Sequence, residues 1–156
     1  MGAVDAKLAE LGVALPAPAA PVANYVAFVR TGNLLVISGQ LCLSANGKLA
    51  DAHKGKLGAE VSPEAGREAA RLCAVNVLAQ LKAAIDDLDR VVRCVRLGGF
   101  INAVPSFAGL AGVMNGASDL IVAVLGDKGR HARTTVGVAE LPLDAAVEVE
   151  AIFEVR

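Results

Sequence analysis

Tryptophan is missing from this chain and tyrosine occurs once, at position 25. With aromatics at 3% there is little to stack nucleobases, and no Lys/Arg cluster supplies the basic footprint that a phosphate backbone demands. At a net charge of -1, nucleic acid is not the expected partner. The longest apolar run, Leu120 to Leu125, is too short to cross a bilayer, and the first residues carry neither a basic nor an apolar targeting segment, so no membrane contact is expected. Cys42, Cys73 and Cys94 stand apart without a Cys-x-x-Cys pair or a paired framework, which suits the reducing cytoplasm and offers no metal cluster. Charged residues reach only 20%, below the usual quarter, so part of the surface is expected to be covered by another copy of the chain.

What is present is aliphatic. Hydrophobic residues make up 54% of 156 positions, enough to bury the core of one domain over residues 1–156. Asp5 to Leu11 reads as a short helix stopped at Gly12, and Pro16, Pro18 and Pro21 make the following stretch an extended lead-in. Asn24–Arg30 and Leu34–Ser38 read as strands joined at Thr31-Gly32-Asn33, and Asn46-Gly47 marks a further turn before Lys48-Leu49. Ser62-Pro63-Glu64 has the residues of a helix start, and Ala69, Leu72, Cys73, Asn76, Val77, Leu81 and Ile85 recur at helical spacing to about Asp87. Asn76 interrupts that stripe, and the role expected of it is to tie down the backbone of a neighbouring loop. Val91–Asn102 reads as a strand with a bulge or close approach at Gly98-Gly99, and Pro105-Ser106-Phe107 is expected to open a second helix that ends at Gly126. The order predicts an α+β layer, a single sheet with two helices on one face, the other face being covered by subunits.

The last quarter carries the chemistry. His131-Ala132-Arg133-Thr134-Thr135 and Val147-Glu148-Val149-Glu150 read as two strands of a hairpin broken at Leu141-Pro142, with Phe153 crossing to the glutamate face. In that hairpin Arg133 and Glu148 would meet. An arginine on a rigid strand can grip a carboxylate with two parallel hydrogen bonds while a glutamate holds or activates water. The same pair also suits a plain cross-strand ion pair. His53 and His131 have the chemistry of an acid–base pair, but two loop histidines are more often simply polar. Gly47-Lys48 and Gly55-Lys56 do not complete a phosphate-binding loop.

Five features in order, Tyr25 in Asn24-Tyr25-Val26, the Gly32-to-Gln40 hairpin, Asp89-Arg90-Val91-Val92-Arg93, Ala132-Arg133, and Leu141-Pro142 through Val147-Glu148-Val149-Glu150-Ala151, resemble the Rid family. These are the reactive-intermediate deaminases, also called YjgF-like or, in older naming, L-PSP endoribonucleases. The resemblance runs from Tyr25 onward and leaves residues 1–23 as an N-terminal extension. It implies a chorismate-mutase-like α+β fold with a mostly antiparallel sheet, assembled as a homotrimer with a barrel-like core and sites between subunits. It implies hydrolysis of enamine or imine intermediates such as 2-aminoacrylate to a 2-keto acid and ammonia, without metal or organic cofactor. By resemblance, Arg133 clamps the substrate carboxylate, Glu148 positions water and Tyr25 lines the cleft. Gly39, Thr135 and Asn115 are carried over as substrate-contacting positions, and Asn115 also suits an ordinary helix surface. Thr134-Thr135 stands where the family often has Ser-Cys, so no thiol takes part there, and the segment Met114 to Leu120 with the longer loop Lys54 to Gly58 fits a divergent subgroup. A small-carboxylate-binding or regulatory trimer without catalysis, and an endoribonuclease, remain the alternatives.

Overall fold

The computed structural model describes residues 2–156. In β5 (Val147–Val155) burial alternates strictly. Val147, Val149, Ala151, Phe153 and Val155 form an apolar underside, and Glu148, Glu150, Ile152 and Glu154 share the opposite face. Phe153 therefore stays with the valines, a correction to the expected crossing. The period-2 geometry is not interrupted before the strand ends.

The other strands are β1 (Phe28–Thr31), β2 (Leu34–Leu41), β3 (Val91–Asn102) and β4 (Ala132–Val138), in the order β1-β2-β5-β3-β4. All neighbours are antiparallel except β3 and β4, which run parallel. The final quarter is thus not a hairpin. β5 inserts between β2 and β3, and β4 lies on the far edge. Parallel neighbours need a crossover, and the helix Leu110–Leu125 between β3 and β4 supplies it, making this stretch a βαβ unit.

Helix α2 (Pro63–Ile85) begins where Ser62 Oγ accepts the Ala65 N–H at 3.1 Å, with Pro63 in the first turn, and stops at Asp86 with φ of 59°. Ala69, Cys73, Val77, Leu81 and Ile85 are all buried along it. Asn76 does what its place in the stripe suggests: Nδ2 donates to the carbonyls of Leu41 and Leu43, both at 3.0 Å. Helix α3 (Leu110–Leu125) starts later than Pro105. Phe107 N–H closes a turn on Val104 O at 3.0 Å, and the ring folds back over Gly58 and Gly109, so the proline sits in the turn and not in the helix. Residues 110–129 are as long and apolar as a membrane span, but Val113, Met114, Ala117, Leu120, Ile121 and Val124 lie in the core.

Residues of the expected extension form α1 (Ala3–Glu10) and an extended strap. The Asp89 carboxylate accepts the N–H groups of Ala3 at 2.7 Å and Val4 at 2.9 Å, and these bonds hold its carboxyl below the usual aspartate range. Lys82 pairs with Asp5 at 2.9 Å, Leu8 and Val13 are buried, and Gln80 Nε2 holds Ala19 O at 2.7 Å. The segment is docked on the helical layer.

Opposite the helices the sheet is uncovered. Register sets Val29, Val36, Ile152 and Arg96 in one row across β1, β2, β5 and β3, with Leu41, Glu148, Phe100 and Val136 in another. Val29, Leu34, Val36 and Val136 are each at least 40% exposed, an apolar face that in water calls for a cover.

Candidate active site

Arg133 and Glu148 do not meet. Arg133 lies opposite Leu97 and Glu148 opposite Phe100 on the shared strand β3. Leu97 and Phe100 are three residues apart and point to opposite faces of the sheet. Arg133 therefore looks toward the helices and Glu148 toward the open side. Neither the clamp-and-water couple nor the cross-strand ion pair exists within one chain.

On the helix side, Arg133 Nη1 donates to Asn115 Oδ1 at 2.8 Å and to Ser118 Oγ at 3.2 Å. The two acceptors are spaced i, i+3 and so share one face of α3. Nη1 has two protons and both are committed. Among the described residues no carboxylate pairs with Arg133. A half-buried cation with neutral acceptors on one edge keeps its charge uncompensated and its Nε–Nη2 edge unengaged. That edge has the geometry for side-on, bidentate capture of a carboxylate.

Thr135 is two residues along the same strand, on the same face, and its Oγ1 is buried without a partner among the described residues. A buried hydroxyl left unpaired costs about 1–3 kcal/mol, an outlay that a ligand contact would recover. Gly99, opposite Thr135, admits the sulfur of Met114, which no side chain at that position would allow.

The second group lies on β2 and β5. A register shift between Ile37 and Gln40 bulges the strand at Ser38-Gly39. Any Cβ at Gly39 would collide with Glu148 Oε1, so the glycine is what lets that carboxylate lie against the bulge. Glu148 is flanked by Leu41 and Phe100 in its row. Burial pushes its carboxyl above the ordinary glutamate range, and the neighbouring charge of Glu150 pushes it further. Glu150 itself is held at 3.0 Å by Arg96.

Tyr25 stands half-exposed over this bulge. It lines a hollow of about 170 Å³ with Ala19, Pro21, Gly39, Leu41 and Leu143. The strap from the N-terminal segment forms one of its walls. Tyr25, Gly39 and Glu148 thus form one group, and Arg133, Asn115 and Thr135 another. Strands β2 and β4 are three spacings apart, roughly 14 Å.

One member of the arginine group escaped the sequence reading: Ser118, for which the spacing Asn115-x-x-Ser118 on an amphipathic helix is the signal that could have exposed it. His131, expected only as the partner of His53, joins the same group, bonded to Ser118 at 2.9 Å. His53 shares nothing with it: it is buried beside Cys42, its carbonyl accepts Ala146 N–H, and its Nδ1 has no partner among the described residues. Ala132 is level with Arg96 and Val147 with Ile101, which sets the backbones near these histidines roughly 17 Å apart along β3. The structure does not bring the two histidines together.

Residues 5–155 match the family model described as "YjgF/chorismate mutase-like, putative endoribonuclease". The chain is 50% identical to Protein TCP17 of Trypanosoma cruzi over 99% of its own length and 96% of that protein's. The crystal structure of Atu1372 from Agrobacterium tumefaciens is 47% identical, with a TM-score of 0.91 over 98% of this chain and 92% of that one. More distant is the crystal structure of TdcF from E. coli with bound serine, 25% identical, with a TM-score of 0.63 over 92% and 95% of the two chains.

Proposed function

This chain belongs to the YjgF/chorismate mutase-like family, and from that premise we propose that it is a hydrolytic deaminase of imine and enamine acids, turning a 2-aminoacrylate-like substrate into a 2-keto acid and ammonia. The observation that carries this reading is Arg133: a half-buried guanidinium fixed by neutral acceptors on one edge and offering the other, with no counter-ion. A bound serine in TdcF agrees with a site of this family taking a small amino-acid carboxylate.

The second half of the reaction belongs to Glu148. Water adds to the imine carbon while the carboxylate takes one of its protons and passes it to the nitrogen; the carboxylate then takes the hydroxyl proton of the carbinolamine and delivers it to the same nitrogen, so that the C=O bond forms as the C–N bond breaks and ammonia leaves. A carboxyl raised by burial and by Glu150 is closer to the operating pH, where exchange of a proton is most effective. Tyr25 supplies a phenol that can donate to the imine or to water. Thr135 contributes a hydroxyl that has no other partner.

One chain holds these groups on opposite faces, so the site is completed by a second copy. The Arg133 edge of one subunit meets the Tyr25–Gly39–Glu148 group of its neighbour in a homotrimer, and the exposed valines and Leu34 of the open face are covered in its core. Three free, buried cysteines suit action in the reducing cytoplasm. An RNA-cleaving reading would need the two histidines together, and they are not.

The test couples an amino-acid oxidase or a serine dehydratase to the protein and follows trapping of the imine as its semicarbazone, with wild type and Arg133→Ala side by side. Wild type is expected to shorten the imine lifetime and the variant to leave it near the uncatalysed value. An unchanged lifetime across several amino acids, with 2-keto acids still bound, would turn the reading into a carboxylate-binding trimer.

A further inference from the structure

Behind Arg133 runs a polar chain with one consistent direction, and His131 stands at its far end. His131 Nδ1 lies 2.6 Å from the carbonyl of Gly129, which can only accept, so Nδ1 carries a proton. In the neutral ring Nε2 is then bare and accepts from the Ser118 hydroxyl at 2.9 Å. With its single proton directed there, Ser118 Oγ faces Arg133 Nη1 as an acceptor at 3.2 Å. Asn115 Oδ1, at 2.8 Å, takes the other Nη1 proton. This assignment satisfies each link with one donor and one acceptor.

The consequence is geometric. Two acceptors one helical turn apart fix the plane of the guanidinium, whereas a single acceptor leaves it free to swivel about one bond. Without an acceptor at His131 the serine hydroxyl can turn its proton toward Nη1, where donor meets donor. Arg133 then keeps Asn115 alone, and its Nε–Nη2 edge is no longer aimed.

We propose that His131 is a positioning residue for carboxylate capture: by fixing the Ser118 hydroxyl as an acceptor, it orients the free edge of Arg133 toward the ligand. The proposal rests on the reading of Arg133 as the carboxylate clamp. The same contacts also join β4 to α3, so a merely structural role is the competing account. The two accounts differ in what they move. A clamp acts equally in ground and transition states, so misaiming it raises KM and the Kd of a carboxylate while leaving kcat in place.

The experiment uses the full chain, with 2-oxobutyrate as the binding probe in calorimetry and the oxidase-generated imine for kinetics. His131→Leu and Ser118→Ala are each expected to weaken 2-oxobutyrate about tenfold and to raise KM by the same factor, with kcat unchanged within about twofold. His131→Gln, whose amide oxygen can accept from Ser118, is expected to restore most of the affinity. Should His131→Leu fail to fold, Ser118→Ala still decides, since alanine suits the helix and removes only the link.

Wild-type affinity in a folded Ser118→Ala, or a folded His131→Gln as weak as His131→Leu, overturns the proposal. If Arg133→Ala weakens 2-oxobutyrate strongly while His131→Leu and Ser118→Ala do not, the clamp stands and only the positioning role falls. If Arg133→Ala binds like wild type, the clamp reading itself fails, and this proposal with it.

Discussion

Arg133 and Glu148 carry the two charges of the site, and the fold treats them in opposite ways: the guanidinium is held by Asn115 and Ser118 on one helix, whereas the carboxylate lies in register with Leu41 and Phe100 against the bulge at Gly39, where burial and the charge of Glu150 push its carboxyl up. The first arrangement stabilises the charge in one orientation. The second strains it. A clamp has to hold still through the reaction, and a proton-transfer group has to change state within it, so the contrast matches the division of labour that hydrolysis of an imine acid requires.

The largest expected effect comes from removing the satisfied half. Arg133→Ala should lower kcat/KM by a factor on the order of 10²–10³, since a charge-assisted bidentate contact is lost and Asn115 and Ser118 are left without their donor. Steady-state kinetics on the oxidase-generated imine measure it. Nearly as large is Glu148→Gln, with a drop in kcat of about 10²-fold and a small change in KM, the size expected of a proton-transfer group.

The same Glu148→Gln substitution should stabilise the protein near neutral pH. A carboxyl whose folded pKa is raised above its unfolded value adds stability below the unfolded pKa and forfeits it as pH rises through the folded one. Thermal melting against pH should therefore show the variant above wild type at neutral pH and the gap closing in acid. Equal melting curves at all pH values would mean that the carboxylate is not strained. Glu150→Gln sharpens the point: with the like charge gone, the acidic limb of the kcat profile should move to lower pH.

The smallest effects belong to the scaffold around the Tyr25 hollow. Asn76→Leu should cost about 1–3 kcal/mol in a denaturant titration, since the Leu41 and Leu43 carbonyls lose their donor. Activity should fall by less than with either charged residue, because the loosened segment lines the Tyr25 hollow without touching Arg133.

Much of the local structure was legible in the residues. Ser62-Pro63 announced α2, Gly12 with φ of 66° ended the first helix region, Asn76 broke an apolar stripe and proved to tie down a loop, and Gly98-Gly99 marked close approaches by Glu150 and Met114. Each of these is decided within a few residues of chain or by one face of a helix. The pairing of the last strands was not legible. Arg133 and Glu148 are fifteen positions apart with a Leu-Pro break between them, and a hairpin is the local reading; nothing nearby shows that β5 finds its partners in β2 and β3 instead.

The amino-acid order by itself determined the alternation of β5, the start of α2, the aliphatic makeup of the core and the chemical kinds of side chain available to a site, because steric and hydrophobic preferences act over neighbouring residues. Which strand lies beside which, and hence on which face each charge emerges, was decided only by the folded whole. Strand pairing is a contest among distant segments for the same backbone hydrogen bonds, and a shift of one residue or one neighbour turns a side chain to the other side of the sheet. That is why Arg133 and Glu148 part company within a chain.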